Sequence, residues 1–395
     1  MDTNLIDVKD IIEKFSISEL NEAAEQYWKR LVNNPRLLAK PYNIGDAEHI
    51  LPQLGFLIQG LQLYAGMTVL DFGAGSCYAS RILNQLGSRV ISMDVSGTAL
   101  DIGKRLAQRW PPIGDIPEHV FSVFDGRRFD LPDSSVDRIF CLDAFHHVPD
   151  QEAVLREMGR VLKHGGIAGF SEPGPNHSKT TEAQMEMRNC NVVENDIILS
   201  DLFETSREYG FTDLRVSIST IHPPLVPLEN VDDYLAKPEA FAQGIRERVT
   251  NFPIFFLYKG DPTIRDSRNP GGLCAKIMPH RRRISVNGGE PVKLFVDVVN
   301  TSAKTWLASG NRSGCVNLGA ILRHQTHANL STGKEYRFLV SNTDVEPGSI
   351  VSGLEMDLGP LTTGKYSLDI DLVSEYVCWF QSHSDSMVTV DVSVL

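Results

Sequence analysis

A short apolar strand that runs straight into a glycine turn, and from there into a helix, restricts this chain more than any other stretch. Residues 68–72, Thr-Val-Leu-Asp-Phe, read as a buried strand. Gly73 and Gly75 follow, with Ala74 between them, and residues 76–83 read as a helix opening out of the turn. Glycine permits the sharp turn and lets backbone lie against a ligand. Strand, glycine turn and helix in this order begin a nucleotide-binding α/β unit. Asp94 ends the next apolar strand, about 20 residues on, where a carboxylate can hydrogen-bond both hydroxyls of a ribose. The alternative for Asp94 is a capping or surface role.

The surrounding pattern extends that unit into a domain. Strand-like runs at 68–72, 89–94, 119–124, 135–142, 167–171 and 212–217 alternate with helical stripes that begin at Ser96, after Pro149 and near residue 196. Gly165-Gly166 is read as the stop of the helix before the fifth strand. Such alternation predicts an α/β fold, a Rossmann-like, doubly wound and mostly parallel sheet, with residues 254–258 as its last strand. Residues 1–65 read as a helical cap. Ser18 is placed as N-cap of a stripe of Leu20, Ala24, Tyr27 and Leu31. A second helix covers 46–61, kinked or delayed by Pro52. The cap is either structural support or a lid in which Tyr27, Trp28 or Tyr42 reaches the site. Pro223, Pro224 and Pro227 mark a loop before a helical stretch at 231–249. The α/β domain is thus expected at 66–260, with a linker at 261–282. From 283 to 395 short alternating runs (292–299, 316–322, 336–340, 350–356, 366–373 and 387–394) are separated by Gly, Asn, Ser and Pro. That spacing predicts an all-β, immunoglobulin-like sandwich.

Composition excludes several functions. A formal net charge of −12 argues against a nucleic-acid partner, which calls for a basic surface. No apolar run approaches the roughly 18 residues of a membrane span, and the first residues lack a signal-peptide pattern. The six cysteines are scattered, with no C-x-x-C pair. They outline neither a zinc ribbon nor a disulfide framework, and a reduced cytoplasmic protein is expected. No H-x-x-x-H or H-E-x-x-H spacing is present, and His324 and His327 lie in the β-rich part. No metal is therefore expected.

Five motifs in order resemble the class I S-adenosylmethionine-dependent methyltransferases. Asp71-Phe-Gly-Ala-Gly-Ser76 is similar to that family's D/E-x-G-x-G turn, and Tyr78 stands where a dinucleotide fingerprint needs glycine. Asp94 matches the acid after strand two. Phe124-Asp125-Gly126 followed by Leu131-Pro132-Asp133 resembles the stretch after strand three. Cys141-Leu-Asp143-Ala-Phe-His146-His147-Val-Pro-Asp150 resembles the end of strand four, and Glu157 to Gly166 the helix and turn beyond it. The resemblance covers about 66–218. It implies an S-adenosylmethionine site formed by Asp71, Gly73, Ala74, Gly75, Asp94, Val95, Asp125, Gly126 and Asp143, with Asp125 and Gly126 at the adenine. A sulfonium cofactor needs no phosphate cradle. Catalysis is then chiefly alignment of a nucleophile with the methyl group, helped by a base when the acceptor is a hydroxyl. Asp143, His146, His147, Glu172 and His177 are candidates, at the strand ends where such sheets bind ligands. His146, Glu172 and His177 are taken as the catalytic set. Glu172-Pro-Gly-Pro-Asn-His177 is read as an acceptor loop or a tight connection.

The last 113 residues, with Trp306, Val345-Glu-Pro-Gly348, Gly364 to Val373 and Val377-Cys-Trp-Phe380, loosely resemble sandwich domains of bacterial surface-polysaccharide proteins, such as the glycan-binding domain of O-antigen exporter ATPases. Trp306, Trp379 and Phe380 are either sugar-stacking platforms or core. Three functions are carried forward. One is O-methylation of a sugar in a surface glycan. Another is methylation of a small aromatic or quinone-like acceptor, with the sandwich making a homo-oligomer. The last is non-catalytic carbohydrate binding.

Overall fold

The computed structural model describes residues 5–114, 116–218, 225–236, 238–310, 312–325 and 333–395. Pro223, Pro224 and His327 lie outside the described residues. The chain divides into two compact units, Met1–Pro262 and Thr263–Leu395.

In the first unit the helices α1 (Val8–Lys14), α2 (Ile17–Leu31), α3 (Pro35–Leu38) and α4 (Ile44–Gly60) precede the sheet. Ser16, not Ser18, caps α2. Its hydroxyl accepts from Glu19 N at 3.3 Å, and the Glu19 carboxylate accepts from Ser16 N at 2.8 Å. The reciprocal pair needs an acid three residues on. Ser18 has Asn21 there, whose amide instead donates to Asp125 O at 2.9 Å. Pro52 lies inside α4 without ending it.

The sheet alternates with its helices: β1 (Thr68–Phe72), α5 (Tyr78–Gln85), β2 (Arg89–Asp94), α6 (Gly97–Arg109), β3 (His119–Val123), β4 (Val136–Leu142), α7 (Gln151–Val161) and β5 (Leu162–Ser171). Then follow α8 (Thr181–Cys190), α9 (Leu199–Arg207), β6 (Asp213–Val216), α10 (Val231–Leu235), α11 (Pro238–Asn251) and β7 (Ile254–Lys259). Among the described residues seven strands pair in the order β3-β2-β1-β4-β5-β7-β6. The first five strands are parallel, and β7 is antiparallel to both β5 and β6. The sheet is Rossmann-like. Strand order reverses between β1 and β4, which is where open sheets of this kind bind ligands. Gly165-Gly166 does not stop α7. The helix ends when Leu162 turns extended at ψ 131° and pairs with Val136 of β4, so both glycines lie within β5. No helix among the described residues is long and apolar enough to cross a membrane.

The second unit is all β. Its strands are β8 (Ala275–Pro279), β9 (Arg283–Val286), β10 (Pro291–Asn300), β11 (Val316–His324), β12 (Lys334–Leu339), β13 (Ile350–Pro360), β14 (Gly364–Ser374), β15 (Cys378–Trp379) and β16 (Val388–Val394). One sheet runs β13-β10-β8; the other runs β12-β11-β14-β16-β9, with β15 on β14. β8 lies in the stretch expected to be linker. It is a strand because Ile277 turns inward and pairs with Val298 of β10. Trp306 and Phe380 are both fully buried, with ring centroids 5.5 Å apart in an edge-on contact. They are core, not a platform for sugar rings. Trp379 is half-buried, with the Arg337 guanidinium 4.7 Å from its ring centre.

Trp306→Ala is expected to lower the stability of this unit by about 3–5 kcal/mol, the usual cost of emptying a site of that size. Urea unfolding checks it. A loss below about 1 kcal/mol would mean that the sandwich closes without its central ring.

Candidate active site

The reversal point carries a cavity of about 450 Å³, within the range of small-molecule sites. One wall comes from β1, β2 and the turn after β3. Gly73 (φ +68°) and Gly75 (φ +51°) lie in the left-handed region. A Cβ on Gly73 would stand 2.3 Å from Ala144 Cβ, and one on Gly75 would stand 3.0 Å from the Trp28 ring. Glycine is thus required by conformation and by space. Ala74 N donates to Met93 O at 3.0 Å, which ties the turn to β2.

Asp94 lines the cavity and holds the turn, accepting from Gly75 N and Ser96 N at 2.8 Å each. Burial pushes its carboxyl up to about 6, against the pull of those two N–H groups. Val95 and Gly126 also line the cavity. Asp71 is buried beneath it and accepts from Ser80 Oγ, which in turn receives the Ser92 hydroxyl at 2.6 Å. Burial pushes Asp71 up to about 7. Asp125 is exposed and stands outside the cavity lining. Its Oδ1 accepts from Arg127 N at 2.7 Å and Arg128 N at 3.0 Å, so the side chain shapes the turn that presents Gly126.

The opposite wall comes from the end of β4 and from residues 177–194. Asp143 lines it in a left-handed conformation (φ +56°), a strained geometry common at functional sites. Glu172 lies behind, fully buried at the end of β5 and outside the lining. Its Oε1 accepts from Ala144 N (3.0 Å), Phe145 N (2.9 Å) and Cys141 Sγ (3.3 Å). Its Oε2 accepts from His146 N (3.2 Å) and His146 Nδ1 (2.7 Å). Burial alone would raise this acid, but His146 and the Phe145 and Ala144 N–H groups outweigh it and hold it ionised. Burial alone would likewise lower His146, yet Glu172, with Asp143 and Glu194, holds it at about 9. Both Glu172 oxygens are thus occupied in holding His146 and its turn, and the side chain does not reach the cavity. His146, His147 and His177 all line the cavity.

Glu194 was not singled out from the sequence. It is nearly fully buried, and His177 Nε2 stands 2.7 Å from its Oε2. His146 Nε2 is 3.8 Å from the same oxygen, and His147 Nδ1 is 3.4 Å from Oε1. Burial raises Glu194, but the three histidines, His177 first, bring it below the usual range. Asn195 makes the meeting possible. Its N and Nδ2 donate to His146 O (2.9 and 3.0 Å), and Nδ2 also donates to Val148 O (2.9 Å). Two further acids, Glu182 and Glu186, reach the cavity from α8, a helix that the strand–helix alternation does not predict. Its signal was present, with Thr180 capping it through Ala183 N at 3.2 Å.

Helix α2 covers the cavity. Leu20, Asn21, Ala24, Tyr27 and Trp28 line it, whereas Tyr42 stays outside and largely exposed. Glu25 on the same helix accepts from Ser96 Oγ (2.6 Å), Thr98 N (3.1 Å) and Thr98 Oγ1 (2.5 Å), which fastens α2 to the start of α6.

Residues 70–170 match the family model described as a methyltransferase domain. Methyltransferase GfsG of Streptomyces halstedii is 32% identical over 117 residues, 29% of this chain and 41% of that protein. The 2-methyl-6-phytyl-1,4-hydroquinone methyltransferase of Synechocystis is 35% identical over 123 residues, 31% of this chain and 36% of that protein. The chain thus spans about two fifths of the length of these relatives. A solved structure of Haemonchus contortus phosphoethanolamine N-methyltransferase 2 is similar with a TM-score of 0.41 and 17% identity, covering 66% of this chain and 61% of that one.

The Asp71 carboxyl gives a test of the buried floor. It titrates at about 7 when folded and near 4 when unfolded, so the folded chain holds an extra proton between those values. The penalty for ionising it begins near pH 4 and is complete above pH 7. Asp71→Asn keeps an acceptor for Ser80. It is expected to add roughly 2–4 kcal/mol at pH 8 and almost nothing at pH 4, measured by urea unfolding. An equal effect at both pH values would show that burial does not keep Asp71 protonated.

Proposed function

We propose, from the class I S-adenosylmethionine-dependent methyltransferase segment that residues 70–170 form, that the chain transfers a methyl group to a hydroxyl oxygen of a polyhydroxylated small acceptor, with a sugar of a bacterial surface polysaccharide or its precursor as the class. The residues present fit the cofactor. A side chain at Gly73 or Gly75 would run into Ala144 or Trp28, so glycine keeps the backbone of the turn at the cavity, and Asp94 offers a buried carboxylate to a diol. Gly126 and Val95 line the place for the base, and Asp143 lies toward the methionine end. When bound, S-adenosylmethionine supplies an electrophilic methyl group on a cationic sulfur. A cation in this cavity would also favour the ionised forms of Asp71 and Asp94, which burial disfavours in the free protein.

The observation that carries the acceptor is the chemistry of the second wall. His147, His177, Glu182, Glu186, Asn191 and Glu194 present donors and acceptors there, set among Val148, Pro149, Ala183, Val192 and Val193. Hydroxyl groups find partners on the polar part of that surface, and the apolar part suits the faces of a sugar ring. A hydroxyl must lose its proton as it reacts, and His177 stands at the cavity to receive it, beside Glu194. Glu172 keeps His146 cationic and its turn rigid, so Ala144 is held against Gly73. Helix α2 excludes water above them through Tyr27 and Trp28.

Asp94→Asn is expected to weaken S-adenosylhomocysteine binding about 10–100-fold by calorimetry, the cost of a lost charged hydrogen-bond pair. Binding equal to that of the unaltered chain would place the ribose elsewhere. With a labelled methyl donor, nucleotide-linked sugars are expected to take up label at oxygen and hydroquinones are not. The reverse outcome would reassign the acceptor.

A further inference from the structure

His146, His147 and Glu194 form a cluster that the methyl-transfer chemistry does not by itself require. Each can offer one ligand atom, and those atoms all lie within 4.8 Å of one another. His146 Nε2 and Glu194 Oε2 are 3.8 Å apart. Two ligands about 2.1 Å from one tetrahedral ion stand about 3.4 Å apart, so only a small adjustment separates this pair from shared coordination.

The outer partners are those that metal-bound imidazoles need. A ligating histidine usually gives its other N–H to a carboxylate or a backbone carbonyl. His146 Nδ1 is 2.7 Å from Glu172, and His147 Nδ1 is 2.9 Å from Val193 O, which can only accept. Nε2 is the nitrogen each ring would then offer, His146 after releasing the proton that Glu172 and Glu194 hold on it in the metal-free protein. His177, 2.7 Å from Glu194 Oε2, steadies the carboxylate in the same way. The three groups also face the cavity, so any positions they leave on an ion open toward the acceptor.

We propose that His146, His147 and Glu194 bind one divalent first-row transition-metal ion, of the Zn²⁺, Co²⁺ or Mn²⁺ class, at the acceptor side of the cavity. Two histidines and one carboxylate with open positions make a catalytic rather than a structural type of site. The binding of the ion stands on the cluster alone; its use rests on the methyl-transfer reading. There the ion would hold the acceptor oxygen and lower the pKa of its hydroxyl, whose proton passes to His177. Two neighbouring hydroxyls of a sugar could share the ion, which would select for a diol.

The test uses the whole chain, treated with chelator and then titrated with Co²⁺ and Zn²⁺, with S-adenosylhomocysteine binding measured on the same sample. One equivalent is expected. The Co²⁺ spectrum should show nitrogen and oxygen ligands without a thiolate band, which sets this site apart from the free cysteines. Affinity should fall about 10–100-fold or more in His147→Ala and Glu194→Gln. His147 has 41% of its side chain exposed, so that variant is expected to fold, and its metal-free melting curve checks this. Failure to saturate with either ion, or equal binding by His147→Ala, overturns the site. It would leave His146 as an imidazolium between Glu172 and Glu194. One-equivalent binding together with no S-adenosylhomocysteine binding would keep the metal site and remove the methyl-transfer reading instead.

Discussion

The buried carboxylate of Glu172 holds the reactive end of the sheet in place. Three consecutive backbone N–H groups, a thiol and an imidazole all donate to it. A carboxylate removed from water is costly unless its oxygens are occupied. Here the donors come from the turn that follows β4, while the acid stands at the end of β5. The two adjacent strand ends are therefore locked together, and Ala144 is fixed against the glycine turn beyond β1. Losing that carboxylate would leave three N–H groups and a histidine without a partner in the dry interior, a larger loss than the removal of one hydrogen bond.

The same logic extends outward through residues remote in the chain. Asn195 bonds the backbone of His146 and Val148, and Ser178 N donates to Asp196 at 2.8 Å. Gln184 on α8 exchanges hydrogen bonds with the backbone of Ile6 and also reaches Ser178 O. Ile11, Leu20, Met187 and Val193 make a small apolar core beneath α1, α2 and α8. The lid and the polar wall are thus one packed layer. A change in how α2 sits would be felt at Glu194 through Met187 and Val193.

The glycine wall of the cavity was largely legible because its determinants are local. A strand end, two glycines, and an acid closing the next strand are all readable from spacing, and they lie at the reversal of strand order where the sheet places them. Asp125 shows the limit of that reading. Its position matches the motif, but its carboxylate turns to Arg127 and Arg128 N–H, because a short polar side chain next to a turn readily bonds its own backbone. The capping box at Ser16 and the extension of β5 through Gly165 had likewise to be decided by which partner was within reach.

Glu194 belongs to another category. Nothing around it in the chain marks it as special, and neither of the histidine spacings that suggest metal binding is present. It becomes part of the site only because Asn195 pins its segment to the His146 turn and His177 swings back from the loop after β5. Period and composition assigned the α/β sheet, the β-rich second unit and the glycine cradle, since each depends on residues a few positions apart. The company kept by His146, by Glu172 and by the buried Trp306 depended on strand order and packing, because hydrogen bonds and apolar contacts act over a few ångströms whatever the distance along the chain.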